Sequence, residues 1–258
     1  MQFFILWAII KCQFLIMQEI SIKAEELIKI GEFGITNSLI LSLLVLIFLG
    51  VVSFLFNKKI SLIPGKLQSL VEMLVEKLLN LMEATLGSRE LAEKYFPFIA
   101  TIFLFILVCN LFGIFPGVGS LIFETKHGEV SFLRSPASDL NFTLAIAIIS
   151  VILTNLFGIL AVGFFKHIGK FISFKGPISF FIGILEFVSE IAKIISLSFR
   201  LFGNVFAGEV LLIIIFSLVP YVAPIPFLFL ELFVGFIQAF VFSSLTLVSI
   251  AMHTAKEH

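Results

Sequence analysis

Charge is scarce in this sequence: only 13% of its 258 residues are Asp, Glu, Lys or Arg, about half of the quarter usual in soluble domains. The net charge is zero, so nothing indicates a nucleic-acid partner. Cysteine is also rare, since Cys12 and Cys109 are the only two and match no metal-binding or redox spacing. We therefore expect neither a soluble domain nor a bound metal or cofactor.

Apolar residues are abundant instead and make up 60% of the chain. Several apolar stretches reach about twenty residues, the length of helix that crosses a hydrocarbon layer about 30 Å thick. Backbone polar groups in lipid must bond to one another, which leaves helices or a closed barrel. Stretches such as 39–52 and 99–115 do not alternate polar and apolar residues as barrel strands do. We therefore predict an all-α integral membrane protein surrounded by membrane lipids.

About five membrane helices are predicted. They cover about 37–56, 97–115, 140–165, 178–219 and 227–252, with Pro220, Pro224 and Pro226 between the last two. The fourth stretch has 42 residues, about 63 Å as a straight helix, and must therefore tilt strongly or break. We predict that 178–252 forms a long, strongly tilted hairpin. A further helix, 67–86, has apolar residues at helical period and charges on its other face, which favours an interfacial position.

Basic residues in short loops predict the orientation. Three lysines follow each of the first and third spans: Lys58, Lys59 and Lys66, then Lys166, Lys170 and Lys175. That side is expected to be cytoplasmic, with the N-terminus outside and the C-terminus inside. The segment 1–35 is poorly assigned: 19–32 is compatible with a surface helix, and its apolar start lacks the flanks of a cleaved signal peptide. Residues 36–258 are expected to form a single membrane domain.

The fourth span carries a stripe of polar residues. Six recur at intervals of three or four: Glu186, Ser189, Lys193, Ser196, Arg200 and Asn204. They lie within about 80° of one another on a helix and extend over roughly 27 Å. A charge at the bilayer centre costs roughly 2.5–3.5 kcal/mol, so ionisable residues there usually mark a transport path. The alternative is a face that packs against polar neighbours, with Arg200 in a structural ion pair.

Three further polar residues extend this pattern. Glu209 lies on another side of the same helix, while Glu231 and Gln238, seven residues apart, share a face of the last helix. If the prolines make a hairpin, Glu209 and Glu231 both fall on the outer side of Arg200. The residues alone thus predict a proton path interrupted by a fixed positive charge.

The remaining ionisable residues are less informative. All four histidines are expected to be solvated or interfacial rather than metal ligands: His127, His167, His253 and His258. Asp139 is expected to cap its helix, with a place at the outer entrance as the alternative. Lys193 is interpreted as structural, with a stem long enough to snorkel.

The segment 196–209, SLSFRLFGNVFAGE, resembles subunit a of bacterial-style F-type ATP synthases. Four shorter segments match the same family: IPGKLQ at 63–68, NLFGIFP at 110–116, DLNFTL at 139–144 and IQAFVF at 237–242. Together they cover 36–258. The resemblance implies a non-catalytic stator in a bacterial plasma membrane, beside a rotating ring of c subunits. It also implies b subunits of the peripheral stalk and other ATP synthase subunits as partners.

The resemblance also implies the roles of single residues. Arg200 matches the essential arginine of the family. Four positions match the half-channel open to the outside, Asn204, Glu209, Glu231 and Gln238, and two match the half-channel open to the cytoplasm, Glu186 and Ser189. The position of Glu231 is His in some bacterial relatives, so a Glu209–Glu231 pair able to share a proton is a departure from them.

Two other classes of protein are alternatives. A secondary transporter could bind a small anion at Arg200, but transporters usually contain paired repeats, and no repeat is found. A purely structural membrane protein would not need a polar stripe about 27 Å long. The coupling ion, H⁺ or Na⁺, is not determined by this chain.

Overall fold

The computed structural model describes 26–30, 33–61, 63–114, 122–125, 128–131, 134–171, 177–219 and 222–254. These residues contain seven α-helices: α1 Asn37–Lys58, α2 Lys66–Leu86, α3 Arg89–Ile114, α4 Leu140–Val162, α5 Phe164–Phe171, α6 Pro177–Leu218 and α7 Pro224–Thr254. Four short strands form two antiparallel hairpins: β1 Glu26–Ile30 with β2 Phe33–Thr36, and β3 Ile122–Thr125 with β4 Gly128–Ser131. The membrane part is all-α, as the composition predicts.

Five of these helices, α1, α3, α4, α6 and α7, are long and apolar enough to cross a membrane. The prediction of five membrane helices is confirmed. The amphipathic helix α2 is not one of them, because within the described ranges only those five helices are candidate spans. It ends at Gly87, whose left-handed φ of 76° lets its N–H bond to the carbonyl of Glu83.

The longest helix, α6, is continuous over 42 residues. The predicted alternative of a break is therefore excluded. At 1.5 Å per residue, α6 is about 63 Å long, about twice the thickness of a hydrocarbon layer. Such a helix must lie obliquely in a membrane or extend beyond it. The next helix, α7, begins at Pro224, a position where the missing N–H removes no helical hydrogen bond.

The start of α3 differs from the prediction. We expect the second span to begin at Pro97, yet α3 begins at Arg89 and contains Pro97. Ser88 caps the helix, since its hydroxyl accepts a 3.2 Å hydrogen bond from the N–H of Leu91. Pro97 removes one backbone hydrogen bond, which a capped helix of 26 residues tolerates.

Four short features are missed by the sequence analysis: two β-hairpins, a 3-10 turn and the helix α5. The interpretation of 19–32 as a surface helix is wrong, because Glu26–Ile30 is a strand. The loop at 124–138 contains part of a hairpin and a 3-10 turn, and strands of four residues are too short for their period to be recognised. The third span ends at Val162 rather than 165, since Gly163 takes a φ of 95° that favours glycine, and α5 follows.

Some predictions concern residues outside the described ranges. They include the apolar start of the N-terminal segment, Pro220, His127 and the C-terminal end with His258.

The Cα positions divide the chain into two compact units. Unit 1 comprises Met1–Leu49, Leu104–Ala145 and Ser198–Phe240, and unit 2 comprises Gly50–Phe103, Ile146–Leu197 and Val241–His258. The core of unit 1 contains Leu212, Phe216 and Leu228. The core of unit 2 contains Met82, Ala92, Tyr95, Ile99, Leu247 and Ile250.

Candidate functional site

Arg200 lies on an exposed face of α6. Its apolar neighbour Phe199 is 54% exposed, and a Cβ added at Gly203 would meet no atom within 4 Å. This face therefore leaves open space at Gly203, about one helical turn from Arg200 on a candidate membrane helix. Because a cation against lipid is costly, the exposed face suits polar or anionic surroundings and the close approach of a second helix.

The rotation of α6 at this point is set by the residues just before and after Arg200. Ser198 is fully buried, and its hydroxyl lies 3.1 Å from the hydroxyl of Thr143 in α4. Leu201, in the same unit, is also buried. One side of α6 is thus packed against the interior of unit 1, which directs Arg200 to the exposed side.

Asn204 and Gln238 are brought together within unit 1. The amide nitrogen of Asn204 in α6 donates a 2.8 Å hydrogen bond to the side-chain oxygen of Gln238 in α7. Asn204 is exposed, whereas Gln238 is only 3% exposed. The pair thus connects the face of α6 that carries Arg200 to the interior of unit 1 through polar groups.

A cavity of about 230 Å³ lies beside this pair. It is lined by Asn204, Gly208 and Glu231, and by Asn110 and Ser135. Asn110 donates a 2.9 Å hydrogen bond to the carbonyl of Gly235. The side-chain oxygens of Asn110 and Ser135 are buried and have no hydrogen-bond partner among the residues that the structure describes. A cavity of this size has room for several waters, each with polar partners on the wall.

Glu231 faces α6 at Gly208. A Cβ added at Gly208 would lie 3.4 Å from Cγ and 3.5 Å from Oε1 of Glu231, which is ordinary van der Waals contact, so the Glu231 side chain packs directly against α6 at this point. Of the two predicted acids, the cavity wall in the described ranges includes Glu231 and not Glu209, which lies half-buried on α6. The Glu209–Glu231 pair stays a prediction.

A second polar group forms in unit 2 around Glu190, which is 8% exposed. Its carboxylate accepts hydrogen bonds from the Lys193 ammonium at 2.7 Å and from the Asn155 amide nitrogen at 3.0 Å. Nε2 of His253 lies 3.3 Å from Oε1 of Glu190. We call these residues, with Glu186 and His167, the Glu190 cluster.

The two predicted inner residues differ in position. Glu186 belongs to this cluster, since its carboxyl, the Glu190 carboxyl and His253 have ligand atoms within 4.8 Å of one another. Ser189 is exposed on α6. Such a group is able to hold a metal ion, but the Lys193 ammonium already bonds to Glu190. We therefore interpret the cluster as a hydrogen-bonded ion-pair network.

The expectation that His167 and His253 are solvated or interfacial is wrong. They are only 2% and 4% exposed. The turn at Gly163 lets α5 place His167 against α4, where Nε2 lies 3.1 Å from the side-chain oxygen of Asn155. The rings of His167 and His253 lie 5.4 Å apart. The sequence contained two clues, the polar Asn155 within an apolar span and Glu190 at the border of the stripe.

Burial lowers the pKa of His167 below its ordinary value, and the nearby Lys170 adds to this effect. Glu190 and Glu186 act in the opposite direction. His167 lies on α5, which is outside the five candidate spans. Because burial disfavours the charged form, the ring of His167 is neutral at neutral pH.

Asp139 caps α4, as expected. Its Oδ1 accepts a 3.0 Å hydrogen bond from the N–H of Asn141, and its Oδ2 accepts a 2.6 Å hydrogen bond from the hydroxyl of Ser38 in α1. Both carboxylate oxygens are thus used by protein groups. The bond of Lys193 to Glu190 agrees with the structural role expected of Lys193, while snorkelling of its stem stays a prediction.

The fold and the site define a multi-pass helical membrane protein with a charged, polar face on one long helix. The family model described as ATP synthase A chain matches residues 38–251, and the chain belongs to that family.

Curated relatives agree with this assignment. The chain is 36% identical over 210 residues to "ATP synthase subunit a" of Campylobacter jejuni subsp. jejuni serotype O:23/36, covering 80% of this chain and 85% of the relative. It is 36% identical over 219 residues to the subunit a of Campylobacter concisus, with 83% and 88% covered. It is 34% identical over 230 residues to "ATP synthase subunit a 1" of Pelobacter propionicus, with 88% and 90% covered.

Proposed function

We propose that this chain is the proton-channel stator of the Fo sector of ATP synthase. It carries protons through two half-channels to and from the carboxylates of a c ring, and so drives rotation of the ring. The observation that carries the proposal is Arg200, a cation on an exposed face of a continuous membrane helix. Membership in the ATP synthase A chain family supports it.

The exposed face of α6 around Arg200 is the surface proposed to meet the c ring. A ring carboxyl that faces lipid must be neutral, because burying its charge is costly. Opposite Arg200 the same group is stabilised as a carboxylate, since a nearby cation favours the charged form. The open space at Gly203 allows a ring helix to come close.

The outer half-channel is proposed to run through the cavity of unit 1. Asn204 and Gln238 bond to each other beside it, and Glu231 lines its wall. Buried oxygens of Asn110 and Ser135 offer further sites for water along it. We assign Glu209 to the same half-channel from its place in the family motif.

The inner half-channel is proposed to begin at Glu186 and Ser189. In the sequence of α6, Arg200 stands between these two residues and Asn204. A fixed positive charge at that point prevents a proton from passing directly from one half-channel to the other. Each proton that goes through the ring contributes about 2.3 kcal/mol per 100 mV of membrane potential.

The surroundings of the chain follow from the same proposal. It lies in a bacterial plasma membrane, with the N-terminus outside and the C-terminus in the cytoplasm. It is held beside the ring by b subunits of the peripheral stalk and contacts other ATP synthase subunits. On its own it catalyses no ATP chemistry.

Replacement of Arg200 tests the proposal. Arg200→Ala in the intact complex should abolish ATP-driven acidification of inverted membrane vesicles, because the ring carboxylate loses its counter-charge. Ile195→Ala, on the same helix and 49% exposed, is the matched control and should pump normally. Pumping by Arg200→Ala at the normal rate would overturn the proposal.

Glu209→Gln tests the outer half-channel separately. Proton flux should fall because the amide cannot release a proton, while the amount of complex in the membrane stays normal. Glu76→Gln, on the exposed surface of α2, is the control and should change neither quantity. Loss of the complex in Glu209→Gln would instead show that Glu209 is a structural residue.

A further inference from the structure

Unit 2 contains two buried imidazoles that the proposed half-channels do not use. His167 and His253 are 2% and 4% exposed, and their rings lie 5.4 Å apart. Nδ1 of each ring is buried and has no hydrogen-bond partner within the ranges that the structure describes. An unbonded buried acceptor usually costs stability, so two of them side by side suggest a role other than packing.

The hydrogen bonds around Asn155 determine where the proton of His167 lies. The Asn155 amide nitrogen donates to Oε2 of Glu190, so the amide oxygen is the atom that faces Nε2 of His167 at 3.1 Å. An amide oxygen only accepts, and Nε2 must therefore carry the proton. Nδ1 of His167 is left as an acceptor.

The same reasoning applies to His253. Its Nε2 lies 3.3 Å from Oε1 of Glu190, and an ionised carboxylate only accepts. Nε2 is therefore the protonated nitrogen, and Nδ1 is again an acceptor. In the neutral form of each imidazole, Nδ1 is therefore the nitrogen without a proton, and it has no hydrogen-bond partner among the described residues.

Gly158 in α4 leaves the room that both rings occupy. A Cβ at this position would lie 2.7 Å from Cε1 of His167 and 2.9 Å from Cβ of His253. No other residue type fits there without moving one of the rings. The backbone of α4 thus approaches the place where the two imidazoles meet.

We propose that His253 and His167 form a proton relay between the Glu186–Glu190 carboxylates and the surface of α5. This inference rests on the proposed stator function and extends the half-channel to which Glu186 is assigned. His167 itself is 2% exposed, and the residues on either side of it on α5, Lys166 and Ile168, are exposed, so the relay ends one residue from the surface of α5.

Charged groups around the relay balance the moving proton. On α6, Glu186 and Glu190 supply negative charge and Lys193 positive charge, and Lys170 on α5 adds a second cation. A proton on the imidazoles is thus opposed by two cations and stabilised by two carboxylates.

The proposed transfer conserves the proton at every step. A proton arriving at Nδ1 of His253 makes an imidazolium, whose Nε2 proton passes to Oε1 of Glu190 and protonates that carboxylate. The imidazole of His253 is then neutral with its proton on Nδ1, and Glu190 passes its own proton to the Glu186 carboxylate, which lies within 4.8 Å. When the imidazole flips, the next proton enters at Nε2 as the Nδ1 proton leaves to Glu190, and a second flip restores the starting tautomer.

Nε2 of His167 faces the amide oxygen of Asn155, which cannot take up a proton. His167 therefore accepts a proton at Nδ1 and releases it from the same atom, through a bridging water, to Nδ1 of His253. The reverse sequence carries protons the other way.

His253→Gln in the intact complex tests the relay. The amide still donates a hydrogen bond to Glu190 but cannot take up and release a proton. We expect ATP-driven acidification, and passive proton flux after removal of the catalytic sector, to fall about a hundredfold, as is usual on loss of a proton-transfer group. ATP hydrolysis by the detached catalytic sector should be unchanged. Met252→Leu, the exposed neighbour, is the control.

Chemical rescue separates a relay from a positioning role. In His253→Gly, imidazole added to the medium should restore much of the flux, because it can occupy the vacated space and carry protons. Reduced flux without rescue, or loss of the complex from the membrane in both variants, would overturn the relay. So would normal flux in His253→Gln.

Arg200→Ala measured in the same vesicles separates the two proposals. If Arg200→Ala abolishes pumping while His253→Gln pumps normally, the relay alone is wrong. If Arg200→Ala itself pumps normally, the stator function is wrong and the relay fails with it.

Discussion

The amide of Asn204 donates a 2.8 Å hydrogen bond to the side-chain oxygen of Gln238, and this bond joins α6 to α7 within unit 1. Gln238 is 3% exposed, so bulk water cannot readily take the place of Asn204 as its hydrogen-bond partner. A buried polar group left unpaired costs about 1–3 kcal/mol. The bond therefore holds two proposed channel residues in place as well as linking two helices.

A double-mutant cycle should detect this bond. Asn204→Ala and Gln238→Ala should each lower the thermal stability of the purified complex, and the double variant should lose less than the sum. We expect a coupling of about 1 kcal/mol. Asn204→Ala combined with Ser217→Ala, whose exposed hydroxyl bonds only to its own helix at Ile214, should be additive. If the losses of stability in Asn204→Ala and Gln238→Ala simply add in the double variant, the predicted coupling through this hydrogen bond is contradicted.

Two glycines of unit 2 should respond differently to alanine. A Cβ at Gly183 would overlap the backbone carbonyl of Phe171, whereas a Cβ at Gly169 would meet no atom within 4 Å. Gly183→Ala should therefore destabilise the protein by about 1–3 kcal/mol, the usual cost of overpacking. Gly169→Ala should be neutral or slightly stabilising, because alanine favours helix over glycine. Melting temperatures of the two purified variants would test this, and equal values would contradict it.

The stability of the protein should depend on pH through His167. The pKa of this residue is lower in the folded chain than the ordinary value of 6.5, because it is buried and lies near Lys170. Above 6.5 both the folded and the unfolded forms are neutral, and the full stability is present. As the pH falls below that value the unfolded chain takes up a proton that the folded chain resists, so stability is lost down to the folded pKa.

The comparison with His167→Gln isolates this effect. The thermal midpoint of the wild-type complex should fall more than that of the variant between about pH 7.5 and about pH 5.5, the range in which histidine titrates. Parallel losses in both proteins would assign the pH dependence to other groups.

The membrane helices were predictable because lipid imposes a simple requirement on sequence. A span needs about twenty apolar residues, so α1 begins at the expected Asn37 and α4 at the expected Leu140. Helix ends that are set by a local hydrogen bond or a glycine turn could not be predicted from the length of an apolar stretch. The cap at Ser88 starts α3 eight residues before Pro97, and the turn at Gly163 separates α5 from α4.

The candidate site was predictable where it lies along one helix. The period of α6 places Arg200 and Asn204 on one stripe, and continuity of the helix preserves that stripe. The histidines were not predictable, because their burial depends on contacts between helices far apart in sequence. His253 meets Glu190 only when α6 and α7 pack together in unit 2, and no local pattern encodes that distance.

The bond between Ser38 and Asp139 joins residues 101 positions apart, and this separation bears on the order of synthesis. When α1 leaves the ribosome, the carboxylate that will accept its Ser38 hydroxyl has not yet been made. The bond between Ser38 and Asp139 can therefore form only after α2 and α3 have been synthesised. Little of α1 depends on later packing, because only 11% of its most apolar window is buried in the finished fold. That is the smallest buried share among the five candidate spans.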